Sequence, residues 1–268
     1  MKHTMILAAV AAAVLAASPA HAGRSCEAKK PGVRTIERGL ELAGRTMAAL
    51  DASGARVVVL ARAGQDLSKY GLRYSHLGFA YRQAGPDGTS GAWRVVHKLN
   101  QCGTTDSAIY RQGLGEFFLD DLWRYEAAWV VPSREVQDKL LPLLQDDSRV
   151  TSLHHKPYSI VSYAWGQRYQ QSNQWAIETM AAAMQPGGPS SRGSAQAWLH
   201  NAGYEPGTLR LGPLTRLGAR ASAANVAFDD HPNEKRFSDR IETVTVDSVF
   251  QWLQRTGLGA APASLRLP

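Results

Sequence analysis

Two β-rich runs separated by a nine-residue link dense in turn formers constrain this chain more than any other feature. Residues 72–82 (LRYSHLGFAYR) and 92–100 (AWRVVHKLN) flank AGPDGTSG, a stretch built from the residues that tight turns need. Parallel strands require a crossover of a dozen or more residues, so a link this short pairs the two runs antiparallel. Further strands are predicted over 56–62 (RVVVLAR), 126–131 (EAAWVV), 159–165 and 241–246. Helices are predicted over 33–50, with Ile36, Leu40, Ala43, Met47 and Leu50 on one face, and over 133–144 behind Ser133 as cap. Others follow at 173–184, 194–201 and 247–255, the last capped by Asp247. Strands and helices come in mixed order without regular βαβ alternation. The expected class is therefore α+β, an antiparallel sheet with packed helices. With 44% hydrophobic and 20% charged residues in 268, a buried core is available and disorder or a coiled coil is excluded. No repeat or linker divides the chain after residue 22, so 23–268 reads as one domain.

Residues 1–22 read as a cleaved signal peptide. Lys2 gives a basic start, MILAAVAAAVLAAS an apolar run too short to span a bilayer, and Ala20-His21-Ala22 a small-x-small cleavage pattern. No later segment is long or apolar enough to cross a membrane, so the mature chain is expected to be secreted or periplasmic. In that oxidising space Cys26 and Cys102, the two cysteines present, are expected to form one disulfide contributing about 4 kcal/mol in the chain-entropy account. The formal charge of +7 drops by one when Lys2 leaves. Its arginines are scattered among acids, which argues against nucleic acid and for weak attraction to anionic envelope polymers and phospholipid surfaces.

Three strings carry the candidate chemistry: Tyr74-Ser75-His76-Leu77-Gly78, Gln171-Ser172-Asn173-Gln174-Trp175 and Asp229-Asp230-His231-Pro232. A strand bearing SHLG, a polar residue on the next strand and a small hydroxyl residue opening a helix resemble the circularly permuted NlpC-type papain-like hydrolases. More broadly, RYSHLGFA, NQCGTTDSAIYRQGLGEFF, RYQQSNQW and DDHP resemble a bacterial family of secreted proteins carrying a domain of unknown function. The resemblance implies a permuted papain-like arrangement with His76 as base, His97 as its orienting partner and the nucleophile at position 172. There the family pattern has Cys and this chain has Ser.

That exchange matters physically. A thiol at a helix N-terminus beside an imidazolium ionises near neutral pH, whereas a serine needs its proton removed during attack and an oxyanion hole to hold the charge. Ser172 also fits a plain helix cap, and His76 a hydrogen-bonded packing residue on a half-buried strand. If the pair is a degenerate catalytic site, Ser172 Oγ should lie within about 3 to 5 Å of the His76 ring. Gly78 on the same strand face would admit a close neighbour or substrate, and Asn173 and Gln174 would line the cleft. Asp230 and His231 either cap a rigid turn or fold over that cleft. Neither they nor His154-His155 have metal-ligand spacing, and no nucleotide or GxSxG motif is present, so neither metal nor cofactor is expected. Six of the seven Trp residues lie on periodic elements, where core packing is the default.

Three functions compete. One is an envelope hydrolase or acyl transferase acting on an amide or ester. The second is a catalytically weakened or silent relative that binds an envelope peptide, glycan or lipid. The third is an assembly factor acting through its surface alone. Ser in place of Cys favours the second, and the sequence sets no oligomeric state.

Overall fold

Every residue of VVVLARA is buried in strand β1 (Val57–Ala63), as expected of a central strand covered on both faces. In the computed structural model, which describes residues 30–85, 90–185, 187 and 191–268, β1 pairs with β2 (His76–Ala84) on one side and β5 (Arg124–Val130) on the other. Beyond β2 lie β3 (Ser90–Asn100) and β4 (Ser107–Gly113), and beyond β5 lies β8 (Ala263–Arg266). The order β4-β3-β2-β1-β5-β8 is antiparallel at every step. The predicted signal segment, Cys26 and the centre of the β2–β3 loop lie outside the described residues.

Strand alternation divides the core in two. Val58, Leu60, Ala80 and Val95 face α1 (Val33–Ala52) and α2 (Leu114–Phe118), which contribute Leu42, Leu50, Phe117 and Phe118. Val59, Leu77, Phe79 and Val96 face the opposite layer. That layer contains α3 (Arg134–Gln145), α5 (Ser172–Met184), α6 (Arg192–Asn201) and α9 (Val246–Arg255), with the short α4 (Asp147–Thr151) following α3. Helix α5 is buried on all sides from Ser172 to Ala182, which only a helix enclosed by sheet and neighbouring elements can be. A two-stranded ribbon of β6 (Gly207–Arg210) and β7 (Arg240–Thr243), with α7 (Pro213–Ser222) and α8 (Asn233–Arg236), closes over its own small core of Leu209, Leu211, Phe228 and Ile241.

The predicted α+β class and antiparallel sheet are present, with local differences. The segment 159–165, expected as a strand, is a series of turns. Its backbone groups are satisfied one by one: Ile160 N–H by Asn225 O, Ser162 N–H by Ser159 O and Ala164 N–H by Glu242 O. Thr245, not Asp247, caps α9, in a reciprocal capping box with Ser248. In α1 the buried line is Gly39, Leu42, Ala43, Thr46 and Leu50, which leaves Ile36, Leu40 and Met47 at least partly exposed. Helix α6 starts at Arg192, two residues before the predicted start, because Ser191 forms a capping box with Ser194.

Candidate functional site

The first turn of α5 is held to the sheet by side-chain amides. Asn173 Oδ1 accepts from the Leu77 backbone N–H at 3.0 Å, while its Nδ2 donates to Val244 O at 3.3 Å. In the β2–β3 register Phe79 pairs with Val96, and extending that register would set Leu77 opposite Lys98. The amide of Asn173 instead takes the Leu77 N–H where the two strands part. Gln174 fastens the turn segment before α5, accepting from Ser162 Oγ at 2.8 Å and donating to Tyr163 O at 3.2 Å and Ala164 O at 3.1 Å. Gln171 is the N-cap, its Oε1 accepting from Asn173 N–H at 3.2 Å, so Ser172 is the first helical residue and not the cap. The Ser172 hydroxyl lies 3.4 Å from the Tyr158 hydroxyl and is almost wholly buried.

His76 belongs to the other face. It alternates with Leu77 and shares its side of β2 with Gly78 and Ala80, and its ring packs 6.0 Å from Phe117 of α2. His76 Nε2 is 2.8 Å from His97 Nδ1, His97 Nε2 is 2.7 Å from Gln112 Oε1, and Gln112 Nε2 donates to Glu116 Oε1 at 3.0 Å. With the Gln112 oxygen accepting from His97 Nε2–H, His97 Nδ1 must accept and His76 Nε2–H donate, giving a directed chain of neutral groups. Burial, and then the nearby Arg62 guanidinium, hold His76 well below the ordinary imidazole range and push His97 down to about 4. Arg62 is itself buried, bonded to Phe117 O and Asp120 and stacked 4.5 Å from the Phe117 ring centre.

Strand alternation thus sets His76 and Ser172 on opposite faces of the sheet, and among the described residues neither is a hydrogen-bond partner of the other. Gly78 does admit a close neighbour, but that neighbour is β3 itself. A Cβ at Gly78 would come within 2.8 Å of both His97 Cβ and Val96 O.

On the α5 face a polar network that sequence reasoning missed runs behind the helix. Lys98 Nζ donates to His155 O at 2.6 Å and Gln170 Oε1 at 2.7 Å, and Gln170 Nε2 donates to Glu178 Oε2 at 2.5 Å. Fully buried Glu178 pairs with Arg192 (Nε 2.8 Å, Nη2 3.1 Å) and accepts from Gln196 Nε2 at 2.6 Å. Burial, reinforced by Arg192, pushes the Lys98 ammonium down to about 6. The signals were a Glu inside the apolar helix NQWAIETMAAAM and a Lys following the Val95-Val96-His97 run.

Asp230 and His231 lie elsewhere. Asp230 Oδ2 accepts from Tyr163 N–H at 2.8 Å, its Oδ1 is 2.9 Å from His231 Nδ1, and Asp229 pairs with Arg168 at 2.9 Å. They lock the turn before α5, and none of these contacts reaches His76. Among the described residues no group of three or more His, Cys, Asp or Glu side chains is arranged to hold a metal ion. One cleft of about 200 Å³ lies between Leu72, Thr208, Thr245, Asp247 and Arg255, and a wider one of about 450 Å³ between Leu143, Arg149, Ala182 and Gln185. His76, His97 and Ser172 line neither.

These features define an α+β protein with an antiparallel sheet between two helical layers and a pair of buried histidines on one sheet face. Residues 49–253 match the family described as "Uncharacterized protein conserved in bacteria (DUF2145)", and the chain belongs to that family. No curated protein and no solved structure matches it.

Proposed function

We propose that this is an exported cell-envelope protein that binds a peptide, glycan or lipid of the envelope, built on a permuted papain-like layout in which Ser172 and His76 no longer meet as a catalytic pair. The layout is supported by the Asn173–Leu77 bond, which brings the first turn of α5 to strand β2 next to His76. Silence is carried by one observation: the Ser172 hydroxyl meets Tyr158 while the His76 ring meets His97 on the far side of the sheet. A hydroxyl with no base beside it is a poor nucleophile at neutral pH. Export and the Cys26–Cys102 disulfide belong to the same proposal and rest on the leader-like start and on an even cysteine count.

The test incubates the purified mature protein with amide and ester substrates, peptidoglycan sacculi and phospholipid vesicles. Sedimentation with envelope material, without product release that depends on Ser172, is the expected result. Turnover abolished by Ser172→Ala or His76→Ala would overturn the proposal in favour of an active hydrolase or acyl transferase.

A further inference from the structure

Helix α7 presents its apolar side outward. Of its ten residues only Arg216 is buried, whereas Leu214 is 85% and Leu217 68% exposed. Arg216 fixes this orientation. Its Nε donates to Leu211 O at 2.8 Å and its Nη1 to Arg236 O at 2.7 Å, which ties α7 to the end of α8. At about 100° per residue Leu214, Leu217 and Ala221 fall on the side turned away from Arg216. The next residue after α8, Phe237, is 78% exposed.

Exposed basic residues lie on the same elements as these side chains or next to them in sequence. Residues 207–228 contain Arg210, Arg216 and Arg220 and no Asp or Glu. Arg210 and Arg220 are exposed, and the Arg236 guanidinium lies 5.5 Å from the Phe237 ring centre. Of the acids in 229–242, Asp229 is paired with Arg168, Asp230 with His231 and Glu242 with Lys235, and Asp239 lies beside Arg240, leaving Glu234 to set against Arg210, Arg220 and Arg236.

We propose that α7 and Phe237 form a docking surface for an anionic phospholipid bilayer, with Leu214, Leu217 and Phe237 entering the acyl boundary and Arg210, Arg220 and Arg236 meeting lipid phosphates. This rests on the reading of the protein as an envelope binder and names the lipid. Large apolar side chains rimmed by arginine are the features that let a helix lie in a bilayer interface, whereas an anionic polysaccharide would have no use for the leucines. A second copy packed about a two-fold axis would bring the same arginines face to face. Among the described residues no helix is long and apolar enough to span, so contact through this surface would be peripheral.

The test is co-sedimentation of the mature protein with phosphatidylcholine vesicles and with vesicles in which about a third of the lipid is phosphatidylglycerol. Binding to the anionic vesicles alone, weakened by added salt, is expected. It should fall about tenfold or more both in Leu214→Ser/Leu217→Ser/Phe237→Ser and in Arg210→Glu/Arg220→Glu. Because these side chains are exposed, both variants should melt with the wild type, which separates lost binding from lost folding. The proposal is overturned if anionic vesicles leave the protein in solution, or if the apolar triple variant sediments as well as wild type. It is equally overturned if ultracentrifugation shows a dimer that the triple variant abolishes while vesicles bind neither form. Sedimentation with peptidoglycan sacculi is read separately, so a protein that binds sacculi but no vesicles fails this proposal and leaves the envelope-binding reading standing, whereas one that binds neither fails both.

Discussion

Gly78 and His97 face each other across β2 and β3 so closely that the absent Cβ of the glycine is what makes room for the histidine: a Cβ there would come within 2.8 Å of His97 Cβ and of Val96 O. The space lets the His97 ring reach His76 Nε2 at 2.8 Å. Gly78→Ala must therefore shift a backbone carbonyl or part the strands. We expect a loss of about 1–3 kcal/mol, the usual range for overpacking, read as a lower denaturation midpoint at unchanged slope. A stability within error of wild type would show that the two strands are looser than the register implies.

The neutral histidine chain fixes the sign of an acid dependence. Burial holds His97 down to about 4 in the folded protein against about 6.5 unfolded, and His76 is lowered in the same direction. At these two residues the unfolded state then binds more protons below pH 6.5, so their contribution to stability is intact above that value and falls as pH drops toward 4. For His97 alone the full effect is about 3 kcal/mol. Thermal melts between pH 7 and 4 should show this decline, and His97→Gln should flatten it. An equally steep decline in the variant would assign the acid lability to other groups.

How much of this was legible beforehand differs by element. The β2–β3 hairpin could be read because its turn residues and alternation are local signals. Strand β4 (SAIYRQG) could not, since as an edge strand it carries polar residues on both faces and so lacks clean alternation. The face of α1 was misassigned for a packing reason. Gly39 sits where a Cβ would meet Phe118 O at 2.9 Å, so the helix is drawn in on its glycine side rather than on Ile36 and Leu40. Site residues were found as individuals but not as an arrangement. His76, His97, Ser172 and Asn173 all sit at structured positions, yet which face of the strand each histidine takes depends on the sheet being covered on both sides. That in turn depends on α2, which nothing in LGEFF announced.

Buried Glu178 and Arg192 join α5 to the start of α6 and close the network that reaches Lys98. Removing one partner leaves the other charge without compensation inside the protein. Glu178→Ala and Arg192→Ala should each cost about 3–5 kcal/mol, while the apolar pair Glu178→Leu/Arg192→Met should recover a good part of that. Chemical denaturation of the three variants checks the order. A double variant no better than the worse single one would show that Gln170 and Gln196, which also bond Glu178, carry the dependence.

The proposed Cys26–Cys102 disulfide is open to direct measurement. Cys102 sits in the exposed turn between β3 and β4. Protein purified from its exported form should, by intact mass spectrometry without reductant, weigh two hydrogens less than the reduced chain and take up no alkylating reagent. Two alkylated cysteines would refute the pairing and with it the oxidising compartment.

Position 172 offers the sharpest test of the proposal that the site is silent. The side chain there is nearly all buried and lies against Tyr158, while the His76 ring packs against Phe117 on the other face of the sheet. A sulfur placed by Ser172→Cys would gain only the helix N-terminus to favour the thiolate, with burial opposing it. Its alkylation should accordingly be slower than that of an exposed thiol and follow a pH profile that His76→Ala leaves unchanged. In an assembled Cys–His pair the same substitution would create a fast-reacting thiol below the ordinary pKa of about 8.5, and His76→Ala would slow it. Stopped-flow alkylation of the single and double variants, with Tyr158→Phe as the control for the hydroxyl contact, separates the two arrangements. A strong response to His76→Ala would mean that His76 reaches through the strand edge to the helix.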